Sequence, residues 1–128
     1  MSYDISRHSE FDRSIKRLSK RHRSIADDYA NFLDSLQKNP YQGVELCPGI
    51  RKIRMAIASK GRGKAGSARV ITAMAIIDED NGRIALLTIY DKQDADTVDL
   101  RVIKKMAQEL GFAMEGIKSR CLHPLHQD

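Results

Sequence analysis

The chain has 128 residues, with 22 lysines and arginines against 17 aspartates and glutamates, and therefore a formal net charge of +5. This length fits one domain with a hydrophobic core of its own, and a hydrophobic content of 41% excludes a wholly disordered chain. The positive balance favours a polyanionic partner, either a nucleic acid or an acidic protein.

Signals for export or membrane insertion are not evident in the sequence. The N-terminus lacks the apolar stretch of a signal peptide, and no apolar run approaches the ~20 residues that cross a bilayer. The two cysteines, Cys47 and Cys121, have no CxxC spacing, so we expect neither a zinc site nor a disulfide framework. The sequence therefore predicts a cytoplasmic protein with no membrane partner, no metal and no cofactor.

The first third of the chain predicts a short edge strand, from Tyr3 to Arg7, followed by a helical hairpin. Ser9 and Ser24 are the predicted caps of two helices with apolar residues at helical spacing. These apolar residues are Phe11, Ile15, Leu18, Ile25, Tyr29, Phe32, Leu33 and Leu36. Asn39-Pro40 ends the second helix, because the residue before a proline avoids the helical region. A loop from Tyr41 to Gly49 follows.

Beyond this loop the pattern changes to a period of two, which predicts strands. Lys52 and Arg54 alternate with apolar residues up to Ile57, so the first of these strands has one buried face and one basic face. A glycine-rich basic loop from Ser59 to Ser67 separates it from the next strand.

Two more strands and a last helix complete the predicted elements. Strands from Arg69 to Ile77 and from Ile84 to Tyr90 flank an Asn-Gly turn. Asp94 or Asp96 can cap the last helix, which Gly111 closes. The predicted apolar stripe of this helix is Val98, Val102, Met106 and Leu110, with Ile103 beside it.

The predicted order is therefore β-α-α-β-β-β-α, an α+β fold. Because consecutive strands are joined by short links, we expect an antiparallel sheet packed against the N-terminal helical hairpin, with the last helix C-terminal to it. Residues 1–110 form the predicted domain, and residues 111–128 form a tail.

The region from residue 51 to residue 69 is a candidate functional segment because it contains seven basic residues and no acidic one. The seven are Arg51, Lys52, Arg54, Lys60, Arg62, Lys64 and Arg69. Surfaces normally mix both signs of charge, so an unopposed run indicates a positive field suited to phosphates. A solvated hairpin loop with solubilising lysines is the alternative. The loop is not a P-loop, because it leads into a strand and lacks the Gly-Lys-Ser/Thr ending.

Four segments carry a resemblance to a known family. They are Gly49–Arg54, Ser59–Lys64 followed by Gly66, Arg69–Ile71 and Leu86–Lys92. Together they resemble the HigB branch of the RelE/ParE toxin superfamily, which has a lysine-arginine strand, a Gly/Lys hairpin, an arginine-led strand and a Leu-Thr-Ile-Tyr-x-Lys strand. The resemblance spans roughly residues 10 to 110.

The resemblance implies the toxin of a type II toxin–antitoxin system, a metal-independent endoribonuclease that cuts mRNA at the ribosome. It implies that the RNA 2′-OH attacks its own 3′ phosphate, which requires a base, an acid and cations for the transition state. By position, the implied catalytic residues are Lys52, Arg54, Arg69, Lys92 and Tyr90. The implied RNA- and ribosome-binding residues are Arg51, Lys60, Arg62 and Lys64.

The implied partners are the ribosome with its mRNA, a cognate helix-turn-helix antitoxin similar to HigA, and operator DNA bound through that antitoxin. The chain departs from RelE-like relatives after Lys92, because residues 93–99 are acidic and contain no tyrosine. The assignment of base and acid therefore stays open. Two alternative functions stay open as well, a ParE-like inhibitor of DNA gyrase and a non-toxic nucleic-acid-binding module.

Overall fold

The computed structural model describes residues 2–60, 66–92 and 98–112. Its strands and helices, in chain order, are β1 (Ser2–Arg7), α1 (Ser9–Arg21), α2 (Ile25–Lys38), β2 (Val44–Cys47), β3 (Ile50–Ala56), β4 (Ser67–Ile76), β5 (Asn81–Asp91) and α3 (Leu100–Glu109). A short 3₁₀ turn, Ala58–Lys60, follows β3. The predicted α+β class is confirmed.

The five strands form one mixed sheet in the order β1-β5-β4-β3-β2. Strands β2 to β5 pair antiparallel with their sequence neighbours, but β1 pairs parallel to β5, from Ser2 opposite Asn81 to Arg7 opposite Leu86. The prediction of a purely antiparallel sheet is therefore wrong. The α1–α2 hairpin connects β1 to β2, and these two strands form opposite edges of the sheet. The antiparallel strands β2 to β5 therefore cross the sheet in sequence, and the last of them, β5, lies beside β1.

Strand β2 occupies part of the segment that was predicted to be a loop. Val44 lies opposite Lys52, and Glu45 lies opposite Arg51. The preceding Gly43 has a φ of +75°, and a Cβ atom there would stand 2.1 Å from the Lys52 carbonyl oxygen. Only glycine lets the chain approach β3 this closely.

The sheet face toward the hairpin carries the larger part of the core. Phe11 and Leu36 are completely buried there, in a cluster that draws apolar side chains from α1, α2 and four strands. The predicted helical periodicity is thus confirmed for both helices. Ser24 is the N-cap residue of α2, but the cap of α1 is His8 rather than Ser9, since His8 Nδ1 accepts the Glu10 N–H at 3.0 Å.

The opposite sheet face is covered by α3 over only part of its area. Ile103, Met106 and Ala107 pack on apolar residues of the strands, whereas Val102 is 53% exposed, so the predicted stripe is rotated. Asp99 caps α3; the hydrogen bond from the Arg101 N–H holds the pKa of its carboxyl below the usual value. The predicted caps, residues 94 and 96, lie outside the described residues.

None of the helices in the described ranges is long and apolar enough to cross a membrane. Cys47 is buried and disulfide-bonded, although no disulfide framework was expected from the sequence. Cys121, like most of the predicted tail, lies outside the described residues.

Candidate functional site

The candidate site is built on three neighbouring strands whose register places three of the predicted residues in one row. Arg54 on β3 lies opposite Arg69 on β4, and Arg69 lies opposite Tyr90 on β5. Directly opposed residues project from the same face, with Cβ atoms about 4.5–5.5 Å apart. The period-two alternation of the sequence, combined with this register, therefore assembles side chains from distant segments of the chain.

Two lysines extend the row. Lys52 precedes Arg54 by two positions and therefore projects from the same face of β3. Lys92 directly follows the end of β5, two positions after Tyr90. We refer to Lys52, Arg54, Arg69, Tyr90 and Lys92 as the strand-end cluster. Arg54 is exposed, and Lys52, Arg69 and Lys92 are partly exposed. Tyr90 packs against the apolar cluster that includes the α3 residues, and its hydroxyl is buried.

The strand-end cluster keeps its positive charge. Within the described ranges, none of its four cations has a carboxylate within 4.0 Å. Arg69 donates only to neutral oxygens, the Ser67 hydroxyl at 2.6 Å and the Ala68 carbonyl at 3.4 Å. Like charges placed opposite each other in a sheet are destabilising, so this arrangement is unfavourable unless an anion binds. Guanidinium groups bind the paired oxygens of phosphates and carboxylates, so the cluster is suited to an anion of this kind.

Arg51 was predicted to join the binding surface, but the structure places it elsewhere. Strand alternation turns it to the face opposite Lys52. Its guanidinium donates to the Gln42 carbonyl at 2.8 Å and the Gly43 carbonyl at 3.2 Å, and it lies 6.0 Å from the ring of Tyr41. Arg51 therefore holds the segment that enters β2, and the structure does not bring it into the strand-end cluster.

Lys60 was also predicted to bind RNA, but its ammonium is committed to an internal ion pair. It donates to both carboxylate oxygens of Asp91, at 2.9 and 3.1 Å, and only 10% of its side chain is exposed. The same carboxylate lies 3.4 Å from His22 Nε2 and 3.7 Å from a guanidinium nitrogen of Arg21. We call these four residues the Asp91 ion cluster. The other predicted loop residues, Arg62 and Lys64, lie outside the described residues.

Asp91 was missed by the sequence analysis, although a signal was present. It has the same parity along β5 as Ile89, which faces the helical hairpin, so alternation places its carboxylate on a buried face. A buried carboxylate requires cations, and Asp91 is 1% exposed. The cations that pair with Asp91 could not be predicted from the sequence, because Lys60 is 31 residues away from it.

No protein-family model matches the chain. Among the described residues, no group of three or more histidine, cysteine or acidic side chains could hold a metal ion. A cleft of about 520 Å³ between β1 and the hairpin, which includes Arg7 and Tyr29, contains no member of the strand-end cluster. A smaller cleft of about 200 Å³ beside α2 is lined by one member of the cluster, Arg54, together with Asp28 and Asn31.

Proposed function

We propose that this protein is the toxin of a type II toxin–antitoxin system in the HigB branch of the RelE/ParE superfamily, and that it cuts mRNA at the ribosome in the cytoplasm. The observation that carries the proposal is the row of Arg54, Arg69 and Tyr90, flanked by two lysines, in which no described carboxylate lies within 4.0 Å of the four cations. The order of three helices and the β2–β5 meander supports the proposal that the fold is the RelE/ParE arrangement.

The cluster offers the groups that RNA cleavage by the 2′-OH requires. The 2′ oxygen forms a bond to the phosphorus as the bond from phosphorus to the 5′ oxygen breaks, leaving a cyclic phosphate. The 2′ proton passes to a base, and the departing 5′ oxygen takes a proton from an acid. Arg54 and Arg69 are placed to stabilise the added negative charge on the phosphate oxygens. Lys52 and Lys92, which are partly exposed, are the candidates for the proton transfers, whereas the hydroxyl of Tyr90 is buried.

The proposed partners follow from the same chemistry. The ribosome supplies the mRNA, and an antitoxin with an acidic segment would neutralise the +5 chain. We propose that this antitoxin is HigA-like, carries a helix-turn-helix domain and brings the complex to operator DNA.

Induced expression in bacteria tests the proposal. We expect growth arrest, new mRNA 5′ ends detected by primer extension at translated codons, and rescue by co-expression of a small protein encoded next to the toxin. Arrest with DNA damage and intact mRNA would instead indicate inhibition of gyrase. Absence of arrest would indicate a nucleic-acid-binding module without toxicity. Either of these last two results would overturn the proposal.

A further inference from the structure

A second positively charged region lies on α1 and the turn to α2, outside the strand-end cluster. Between Asp12 and Asp27 the chain contains six lysines and arginines and no acidic residue. The six are Arg13, Lys16, Arg17, Lys20, Arg21 and Arg23. This run is as free of acidic residues as the segment that builds the candidate site, and the proposed cleavage reaction does not use it.

Half of these cations are paired within the protein. The carboxylate of Glu10 lies 2.9 Å from a guanidinium nitrogen of Arg13 and 3.9 Å from one of Arg17. Partial burial raises the pKa of Glu10, but hydrogen bonds from Arg13 and Ser14 and the charges of Arg13 and Arg17 outweigh it. The pKa therefore lies below its usual value, and the carboxylate is ionised at neutral pH. Arg21 belongs to the Asp91 ion cluster.

The other three cations are available to a ligand. Lys16, Lys20 and Arg23 are exposed, and no carboxylate of the described residues lies within 4.0 Å of them. Lys16 and Lys20 are one helical turn apart, about 6 Å along the axis. We call Lys16, Lys20 and Arg23 the hairpin-turn surface.

A recess of about 340 Å³ adjoins this surface. It is lined by Ser19, Lys20, Arg21, His22, Arg23 and Ser59. Its two sides are fixed to each other, because the Ser24 hydroxyl accepts the Ser59 N–H at 2.9 Å and the two hydroxyls also lie 2.9 Å apart. Serine, lysine and arginine side chains are the usual donors to the phosphates of nucleic acids.

The composition of this region favours a nucleic acid over a protein or a membrane. The large apolar residues of α1 face the core: Phe11 and Leu18 are buried, and Ile15 is partly buried and packs against the same cluster, so the helix has no exposed apolar face to enter a lipid surface. The exposed large apolar residues of the described chain lie elsewhere; they are Tyr41, Val44, Ile76, Ile77 and Val102. Protein interfaces have an apolar and aromatic centre, whereas nucleic-acid interfaces are more polar and strongly positive.

From these observations we infer that the hairpin-turn surface binds the sugar-phosphate backbone of structured RNA. The inference rests on the proposed function only for the identity of that RNA, which would be ribosomal RNA. The surface would then dock the protein on the ribosome while the strand-end cluster acts on the mRNA.

The test compares the wild-type protein with the variant Lys16→Gln/Lys20→Gln/Arg23→Gln. Affinity for a fluorescent RNA duplex of about 20 base pairs is measured by anisotropy over a range of KCl concentrations. Each lost phosphate contact removes about 0.9 from the slope of log affinity against log salt. We therefore expect a slope shallower by about 2 to 3 and an affinity at least about tenfold lower at low salt.

A matched control is Lys38→Gln/Arg101→Gln/Lys105→Gln, which removes the same charge from exposed positions on α2 and α3. We expect it to bind RNA within about twofold of wild type. An unchanged affinity of the hairpin-turn variant, or an equal loss in the control, would overturn the inference. The inference would also be overturned if the hairpin-turn variant lost affinity for an acidic antitoxin segment but bound RNA normally.

The two proposals fail in different ways, because duplex binding requires no cleavage. A toxin that cleaves mRNA but whose hairpin-turn variant binds RNA normally would overturn this inference and support the proposed function. A protein without cleavage activity, whose variant binds RNA more weakly, would overturn the proposed function and support the inference.

Discussion

At the scale of single residues, Arg69 occupies the centre of the strand-end cluster, between Arg54 and Tyr90. Because its described partners are neutral oxygens, replacing it breaks no ion pair there. We expect Arg69→Ala to lower single-turnover cleavage of ribosome-bound mRNA by at least about 100-fold, the scale of losing one transition-state donor. Ribosome affinity and melting temperature should stay close to wild type. A variant that loses stability, binding and cleavage together would show that Arg69 is structural.

A substitution at Lys60 tests whether this lysine stabilises the fold or binds phosphate. Lys60→Ala leaves the carboxylate of Asp91, which is 1% exposed, without its nearest cation. We expect the free energy of unfolding in urea to fall by about 3 kcal/mol, the cost of breaking a buried ion pair from one side. Lys38→Ala, at an exposed helix end, should change it by less than about 0.5 kcal/mol. Equal small effects of both substitutions would mean that Lys60 is not held by Asp91.

Residue-level prediction from the sequence worked where alternation decides the outcome. Alternation along β3 put Lys52 and Arg54 on one face, and the register places Arg54 opposite Arg69. The same rule, applied to Arg51, would have excluded it from that face. Lys60 could not be placed in this way, because its position depends on a carboxylate from another strand. Such long-range ion pairs leave no local pattern in a sequence.

At the scale of elements, Asp28 joins α2 to the 3₁₀ turn after β3. Its carboxylate accepts the Ala58 N–H at 3.2 and 3.3 Å and the Ser24 hydroxyl at 2.6 Å, and it is 7% exposed. Asp28→Ala leaves a partly buried N–H without its acceptor, so we expect a loss of about 1–3 kcal/mol in unfolding free energy. The matched control, Asp27→Ala on the exposed side of the same turn, should cost less than about 1 kcal/mol. A larger effect at Asp27 would contradict this role of Asp28.

The helices were predictable because their apolar spacing is determined within each segment, as Phe11, Leu18 and Phe32 show by their burial. Strand β2 was missed because it has four residues and lies between two glycines that indicate turns. The partner of β1 was also not predictable. The choice of β5 depends on where the whole meander ends, not on the residues of β1.

At the scale of the whole molecule, Tyr3 and Gly82 show how closely β1 and β5 pack against each other in their parallel pair. They lie opposite each other, and a Cβ atom on Gly82 would stand 2.9 Å from the Tyr3 ring. We expect Gly82→Ala to lower the unfolding free energy by about 1–3 kcal/mol through overpacking. In a Tyr3→Ala background, Gly82→Ala should lower the unfolding free energy by clearly less. A double-mutant cycle with urea denaturation measures this difference. Additive effects would show that the two residues do not press on each other.

The β1–β5 pairing also has a consequence for synthesis of the chain. Its partners are about 80 residues apart, so β1 leaves the translating ribosome long before β5 exists. At about 5–20 residues per second, roughly 4 to 16 seconds separate the two. Tyr90 comes at the end of that interval, and until then the row through Arg54 and Arg69 is incomplete. Under the proposed function, the nascent chain would therefore be harmless to the ribosome that makes it until almost the whole sheet has been translated.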